Sequence, residues 1–227
     1  MAVQLISYST STDKMKHEGL ENVQDLVAFC ARVSNPSNQM NNETSEKLIK
    51  YLIKHAHWSP LEMVNACLEI NTTRDIAHQI VRHRSFAFQE FSQRYANPEE
   101  MGDMFVHREA RMQDKKNRQN SVDLDENNME DMRLAMIWSS YQNKVIQEAK
   151  EAYKWAIENG IAKEQARVVL PEGLTKTRLY MNGSIRSWIH YIELRGGHGT
   201  QKEHMEIAHA CAKVIAEIFP LANELSN

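Results

Sequence analysis

Apolar and polar positions in this chain follow two periods, which together predict strands at three places and helices between them. A period of two marks residues 3–8, and apolar runs typical of strands cover residues 61–72 and 175–181. A period of three to four predicts helices in the segments that follow. The expected order is strand, helix, helix, strand, helix, a polar segment, one long helix, strand, helix and helix.

The predicted helices have recognisable ends, such as Asn159-Gly160 after the long helix and Pro220 after the final one. The long helix repeats methionine and aromatic residues at helical spacing, and we expect this stripe to pack in the core. Residues 85–95 are predicted to form a loop or an irregular strand, and residues 182–184 a turn. The helices are expected at about 23–33, 44–54, 73–82, 129–159, 163–168, 185–194 and 201–219.

A parallel dinucleotide-binding fold would place a G-x-G-x-x-G motif after the first strand, and the sequence has none there. The prediction is therefore an α+β fold, in which helices pack a small, mostly antiparallel sheet and one long helix is central. Residues 1–227 are expected to form a single domain. The strongly polar residues at about 108–128 predict an excursion from that domain, either a mobile insertion or a substrate lid.

Composition narrows the class of protein. A net charge of −3 argues against a chain that coats nucleic acid, which needs a broad excess of Lys and Arg. The three cysteines lie far apart without a CxxC motif, which favours the reducing cytoplasm over a disulfide-linked secreted scaffold. The sequence contains no apolar run of eighteen residues, so no membrane association is expected.

One short segment concentrates candidate chemistry. Arg82-His83-Arg84 is followed after seven residues by Ser92-Gln93-Arg94, and four aromatic residues lie among or beside them. A guanidinium group that is removed from water needs an anionic or hydrogen-bonding partner. Ser92 and Arg94 supply a hydroxyl and an arginine fork that suit a phosphate group, so the segment predicts an anionic ligand.

This Arg-His-Arg-x7-Ser-x-Arg spacing resembles the signature of the flavin-dependent thymidylate synthases. Residues 166–171, 185–187 and 194–195, and the Gln201-x-Glu203 pair, occur in that family's order. The resemblance implies the family's fold and a homotetramer whose flavin sites are shared between subunits. It also implies reductive methylation of deoxyuridine monophosphate (dUMP) to dTMP, with 5,10-methylenetetrahydrofolate as one-carbon donor and FAD, reduced by NADPH, as cofactor.

By resemblance, Arg195 is the catalytic residue: it would contact the uracil ring and favour its ionised form. A pre-positioned cation can stabilise charge that develops on the pyrimidine. Arg82, His83 and Arg84 would offer cations to the flavin, whereas Ser184 stands where many members have Asn. The implied dUMP-binding residues are Gln79, Arg82, Glu90, Ser92, Arg94, Arg167 and Arg195; the implied flavin-binding residues are Ser59, Arg82, His83, Arg84, Glu90, Ser184, Arg186 and His190, with His57 beside Ser59.

Two other classes of function compete with this interpretation. A small RNA- or nucleotide-binding regulator could use the arginines and the aromatic residues as stacking platforms, but no binding-module motif is present. A metallohydrolase could use several histidines as ligands, but carboxylates at ligand spacing are missing, and no metal is expected. The histidines in question are His55, His57, His78 and His83.

Overall fold

The computed structural model describes residues 2–221. Four short 3₁₀ turns, at Pro36–Asn38, Ser59–Glu62, Pro98–Met101 and Arg167–Val169, connect the regular elements. In chain order the elements are β1 (Ala2–Tyr8), α1 (Asp13–His17), α2 (Val23–Ala31), α3 (Ser45–Lys54), β2 (Asn65–Thr73), α4 (Arg74–Ile80), β3 (Ala87–Glu90), β4 (Arg111–Gln113), β5 (Ser121–Asp123), α5 (Met129–Glu158), α6 (Lys163–Ala166), β6 (Lys176–Ser184), α7 (Ile185–Gly196) and α8 (Lys202–Ala216).

The main sheet has the strand order β1-β2-β6-β3, and every neighbouring pair is antiparallel. Apolar side chains at alternating positions of β2, including Leu68 and Ile70, are fully buried. They belong to one core cluster with Trp188 and Ile189 of α7 and Cys211 of α8. Burial of these apolar surfaces is the main favourable contribution to folding. The predicted α+β fold with a small antiparallel sheet is confirmed.

A second, smaller core forms where the C-terminal half of α5 packs. Ile146, Ala149 and Tyr153 lie on one face of that helix and are buried. They pack with Met104 and Phe105, and Phe105 forms an isolated antiparallel bridge to Thr175 just before β6. This half of α5 is therefore fixed against the segment that leads into the sheet.

The N-terminal half of α5 does not pack in the core, so our expectation for its methionine and aromatic stripe was wrong for the single chain. Met136 is 72% exposed and Met132 is 52% exposed. Helical periodicity identifies residues that share a face, but it does not say what covers that face. Other members of the stripe that are exposed are Leu134, Trp138, Tyr141 and Val145.

One local prediction near the main sheet was wrong. Residues 182–184 continue β6 instead of forming a turn, because Asn182 pairs with both Cys67 and Ala87. Residues 85–95, expected to form a loop or an irregular strand, contain the short strand β3, which pairs with β6. Gly183 permits this close pairing, since a Cβ atom there would lie 2.4 Å from Cδ1 of Phe86.

The polar excursion contains a two-stranded hairpin, β4–β5, whose base is tied to the start of α8. Lys202 Nζ lies 3.0 Å from a carboxylate oxygen of Glu109 and 3.0 Å from one of Asp123. Arg111 of β4 donates to the buried carboxylate of Glu203. The excursion is thus held at both ends against one helix. Within residues 2–221, no helix is long and apolar enough to cross a membrane.

Candidate active site

Helix α4 delivers the arginine-rich segment to the surface. Its buried face, Ile76, Ala77 and Ile80, packs in the main core, and the helix ends at Ile80, two residues before Arg82. Arg82 and Arg84 are both exposed, and neither makes an ion pair with any residue from 2 to 221. Two permanent cations therefore project from the end of this helix, available to an anionic ligand.

Helix α7 runs beside this segment and contacts it near both ends. Near its start, Ser187 Oγ donates to the backbone oxygen of Ser85 over 3.1 Å. Near its end, Arg195 Nε donates to Nε2 of His83 over 2.9 Å. The twelve residues of α7 span about 18 Å at 1.5 Å per residue. The helix therefore fixes the first part of the arginine-rich segment, around His83 and Ser85.

His83 is neutral in this arrangement, which corrects our expectation that it offers a cation. Burial and the nearby charge of Arg195 lower the pKa of His83 from 6.5 to about 4. Its Nε2 accepts the hydrogen bond from Arg195, so the proton of the neutral ring lies on Nδ1. A neutral ring can hold the guanidinium group without electrostatic repulsion.

Gln79 is joined to a buried pair of side chains from α7 and α8. His204 is fully buried, and its Nδ1 lies 3.3 Å from Oε1 of Gln79. Its Nε2 lies 3.1 Å from the hydroxyl oxygen of Tyr191, and the Tyr191 ring packs 5.0 Å from the ring of His83. Burial and the neighbouring Arg195 lower the pKa of His204 to about 3, so this ring is also neutral.

Glu90, at the end of β3, contacts two polar side chains, Thr177 and Arg74. Its Oε1 accepts from Thr177 Oγ1 over 2.8 Å and lies 3.3 Å from Nη1 of Arg74. Arg74 also faces Glu172 at 3.7 Å, and Glu172 faces Nδ1 of His78 at 3.3 Å. The carboxylate of Glu90 is therefore held by a hydroxyl and a cation.

Arg94 and Arg167 converge on one residue of α6. Arg94 Nη2 lies 3.4 Å from the Glu164 carboxylate, and Arg167 Nε donates to the Glu164 backbone oxygen over 3.3 Å. Ser92 begins the turn that carries Arg94, since its backbone oxygen accepts from Tyr95 N over 3.1 Å. Two guanidinium groups from segments 73 positions apart thus share a neighbour.

The remaining predicted flavin residues gather at the start of α7. Ser184 is the N-cap of that helix, and its hydroxyl accepts from the backbone N–H of Ser187 over 3.2 Å. Arg186 pairs with Glu62, which ends the short turn that begins at Ser59. The His190 ring packs edge-on against Trp58 at 4.4 Å.

The structure brings the predicted residues together as separate groups within one chain. His83 joins Arg195, while Arg94 joins Arg167 through Glu164. No hydrogen bond or ion pair between described residues links Arg195 to the other two arginines. The first group lies where α4 and α7 end, and the second lies at α6. Glu90, at the end of β3, and the residues at the start of α7 form two further groups.

Sequence reasoning missed the residues that hold Gln79 and the excursion in place. Arg108 lies 2.8 Å from Asp75 and 3.3 Å from Glu203, and its backbone oxygen accepts from Trp138 Nε1 over 3.1 Å. The sequence did contain one indication of the contacts made by His204. His204 precedes Ile207, Ala208 and Cys211 on the apolar face of α8, where a histidine needs hydrogen-bond partners.

A cavity of about 750 Å³ opens between the excursion and the loop that follows Arg195. Arg111, Arg118, Trp138 and Lys202 are among the residues that border it. Among residues 2–221, no three His, Cys, Asp or Glu side chains are placed to hold a metal ion. These groups lie on an α+β fold and place several exposed arginine side chains at its surface.

Comparison with known proteins gives the family. The family model described as "Thymidylate synthase complementing protein" matches residues 16–221. This chain belongs to that family.

Two relatives are similar over most of their length. A protein named "Probable flavin-dependent thymidylate synthase" from Paramecium bursaria Chlorella virus 1 is 47% identical over 220 residues, which are 97% of this chain and 96% of that protein. A "Flavin-dependent thymidylate synthase" from Synechocystis sp. is 49% identical over 198 residues, which are 87% of this chain and 86% of that one.

A solved structure has the same fold. It is a UMP/dUMP methylase, PolB from Streptomyces cacaoi, crystallised with 5-Br dUMP. The TM-score is 0.78 at 23% sequence identity, and the match covers 99% of this chain and 93% of that one.

Proposed function

We propose that this chain methylates dUMP to dTMP with 5,10-methylenetetrahydrofolate as one-carbon donor and with bound FAD that NADPH reduces. The proposal is supported by relatives named flavin-dependent thymidylate synthase, which align with 97% and 87% of this chain at 47% and 49% identity. The observation that supports the site most directly is the contact between Arg195 and His83, which joins the proposed catalytic cation to the arginine-rich segment.

The dUMP phosphate would bind at the arginines near α6. The Arg94 guanidinium is half-exposed and lies 5.9 Å from the centre of the Tyr95 ring. Among residues 2–221 its ion pair is with the partly exposed Glu164, so a phosphate can displace that carboxylate at small cost. Arg167 lies beside it, and the Ser92 hydroxyl adds a donor. The proposal assigns the phosphate to this group, with Gln79, Arg82 and Glu90 completing the dUMP site and Arg195 at the base.

The charge and hydrogen-bond chemistry of several residues fits FAD, which would supply reducing equivalents for the reaction when bound. Arg82 and Arg84 are exposed cations without ion pairs among the described residues, which suits a diphosphate. Ser85 links them to the start of α7, where Ser184 and Arg186 lie. The proposed flavin set also includes Ser59, His83, Glu90 and His190.

A cysteine nucleophile is not part of this proposal. Cys30, Cys67 and Cys211 are free thiols, and burial raises the pKa of each. A raised thiol pKa keeps the reactive thiolate scarce at neutral pH. Free thiols also agree with the reducing cytoplasm as the proposed location.

The proposal includes a homotetramer that completes the site. The predicted residues form separate groups on one chain, and one face of the N-terminal half of α5 exposes several large apolar side chains. Met129, Met132 and Met136 follow each other at helical spacing on that face. Large exposed apolar surfaces mark protein interfaces, and a second copy of this chain is the proposed occupant.

The test measures flavin binding and product formation separately. Purified protein, reconstituted with FAD, is expected to be yellow, and NADPH is expected to bleach it anaerobically, faster when dUMP is present. Mass spectrometry should then detect dTMP only when NADPH and methylenetetrahydrofolate are both supplied. A protein that binds FAD but forms no dTMP under these conditions contradicts the proposed reaction, and one that cannot bind FAD contradicts the cofactor.

A further inference from the structure

We propose that a one-directional chain of hydrogen bonds, running from Tyr191 through His204, Gln79 and Gln201 to Glu203, fixes the amide orientation with which Gln79 reads the pyrimidine. The inference rests on the proposed function, because it concerns how the dUMP site selects its base. His204 and Gln201 are positioning residues in this arrangement, and neither is expected to touch the substrate.

The direction of each bond follows from its end groups. The Glu203 carboxylate can only accept, and its Oε2 accepts from Gln201 Nε2 over 2.9 Å. Gln201 must then present its Oε1 to the next residue, and it accepts there from Gln79 Nε2 over 2.8 Å. Gln79 in turn presents its own Oε1 to His204.

The hydrogen bonds at the opposite end of the series, those of His204 and Tyr191, run in the same direction. Gln79 Oε1 can only accept, so Nδ1 of the neutral His204 carries the proton. The opposite nitrogen, Nε2, is then an acceptor, and the Tyr191 hydroxyl donates to it over 3.1 Å. Both His204 and Tyr191 are buried, so water does not offer them an alternative partner.

The polar excursion anchors the accepting end. Arg111 and Arg108 both face Oε1 of Glu203, Arg108 at 3.3 Å, which leaves Oε2 for Gln201. Burial acts to raise the pKa of Glu203, but hydrogen bonds, above all from Arg111, and the charge of Arg108 lower it to about 2. The excursion therefore acts on the site through Glu203, as a fixed support for the chain of bonds.

The consequence for Gln79 is a fixed order of donor and acceptor. One amide proton and one lone pair of its oxygen stay available to a ligand. Uracil presents an N–H donor and carbonyl acceptors, whereas cytosine presents an acceptor nitrogen and an amino donor at the corresponding edge. An amide held in one orientation can distinguish these edges, and a freely rotating amide cannot.

The first test removes Gln201, which is exposed and therefore dispensable for the core. Gln201→Ala should lower the ratio of dUMP to dCMP affinity by about three- to tenfold, the size of one or two neutral hydrogen bonds. FAD content and the thermal midpoint should stay unchanged. Gln147→Ala is the matched control, because Gln147 makes the same kind of bond to Glu151 on the surface of α5.

The second test separates the two nitrogens of His204. In His204→Asn the side-chain amide occupies the place of Nδ1 and can still donate to Gln79. In His204→Gln the amide reaches the place of Nε2 and can contact only Tyr191. We expect the Asn variant to keep the dUMP preference and the Gln variant to lose it, with KM for dUMP rising more than kcat falls.

The outcomes distinguish this inference from the proposed function. If the wild-type protein forms dTMP but Gln201→Ala and His204→Gln keep its full dUMP preference, the chain of bonds has no selective role. If His204→Asn and His204→Gln lose the preference equally, packing and not bond direction is responsible, which also overturns the inference. Absence of dTMP formation by the wild type would instead overturn the proposed function.

Discussion

Arg195 and His83 are 112 positions apart in the chain, yet Arg195 Nε donates to Nε2 of His83 over 2.9 Å. The bond uses the inner nitrogen of the guanidinium group, and the two terminal nitrogens make no hydrogen bond or ion pair with a residue from 2 to 221. Because the His83 ring is neutral, it orients Arg195 without competing for an anion. A guanidinium fork held in this way is prepared for charge that develops on a bound base.

Replacing Arg195 should therefore affect chemistry more than cofactor binding. We expect Arg195→Ala to lower kcat for dTMP formation by at least about a hundredfold, in line with the loss of one preorganised charge-stabilising group. FAD content, measured by absorbance after gel filtration, should stay at the wild-type level. Turnover within a few fold of the wild type would remove Arg195 from its catalytic role, and a flavin-free variant would assign it to the cofactor.

Acid should destabilise this protein before its carboxylates are fully protonated. His83 and His204 have folded-state pKa values of about 4 and about 3, below the ordinary 6.5 of an unfolded histidine. The unfolded chain therefore binds protons first as the pH falls, so stability is full above pH 6.5 and is lost between 6.5 and 3. Glu203, with a folded pKa of about 2 against 4.5, adds a loss in the same direction below pH 4.5.

Urea unfolding at pH 7.5 and pH 5 measures this effect. The unfolding midpoint should be lower at pH 5, and His204→Asn should show a smaller difference between the two pH values because one titrating ring is absent. His17 lies on the surface, so His17→Asn is the control and should keep the full difference. An equal midpoint at both pH values in the wild type would contradict the neutral state of the buried rings.

The arginine pair near α6 should bind nucleotide and not flavin. Arg94→Ala should weaken dUMP binding by roughly ten- to a hundredfold, the usual range for a hydrogen bond to a charged group, and Ser92→Ala by less. Stability should hardly change, since the Arg94–Glu164 pair is half-exposed. Lys154→Ala removes a comparable exposed pair to Glu158 and is the control. Titrations of dUMP and FAD that show the opposite order would mean that the two pockets are exchanged.

The sequence predicted the sheet, most helices and the arginine-rich segment because these depend on local periodicity and residue order. It could not predict the neutral state of His83, which arises from burial and from Arg195, a distant residue in the chain. The bond between Gln79 and His204 likewise depends on how α4 packs against α8. Side-chain contacts between distant segments follow from tertiary packing, and a single sequence does not display that packing.

Gly183 of β6 allows the Phe86 ring to lie close to the strand. An added Cβ would lie 2.4 Å from Phe86, whose ring packs 4.9 Å from the ring of Trp188. Gly183→Ala should displace Phe86 and lower the free energy of unfolding by about 1–3 kcal/mol, the usual cost of overpacking. FAD affinity should fall with it, since Phe86 follows Arg84 and Ser85.

The matched control for Gly183→Ala is Gly173→Ala. A Cβ at Gly173 would meet only Asp75, at 3.9 Å, so its stability should change little. Chemical denaturation gives the free energies, and flavin fluorescence titration gives the affinities. If both variants behave alike, the close approach of Phe86 to β6 does not constrain the site.

The exposed face of α5 should determine the oligomeric state. Met136 is 72% exposed in the single chain, and Met136→Glu would place a carboxylate beside the exposed Met132. We expect Met136→Glu to lower the assembly mass in light scattering and to reduce dTMP formation, because the proposed site is shared between subunits. Lys154→Glu introduces the same residue on a polar part of the helix and should leave the tetramer intact. A tetramer that survives Met136→Glu would mean that a different surface joins the subunits.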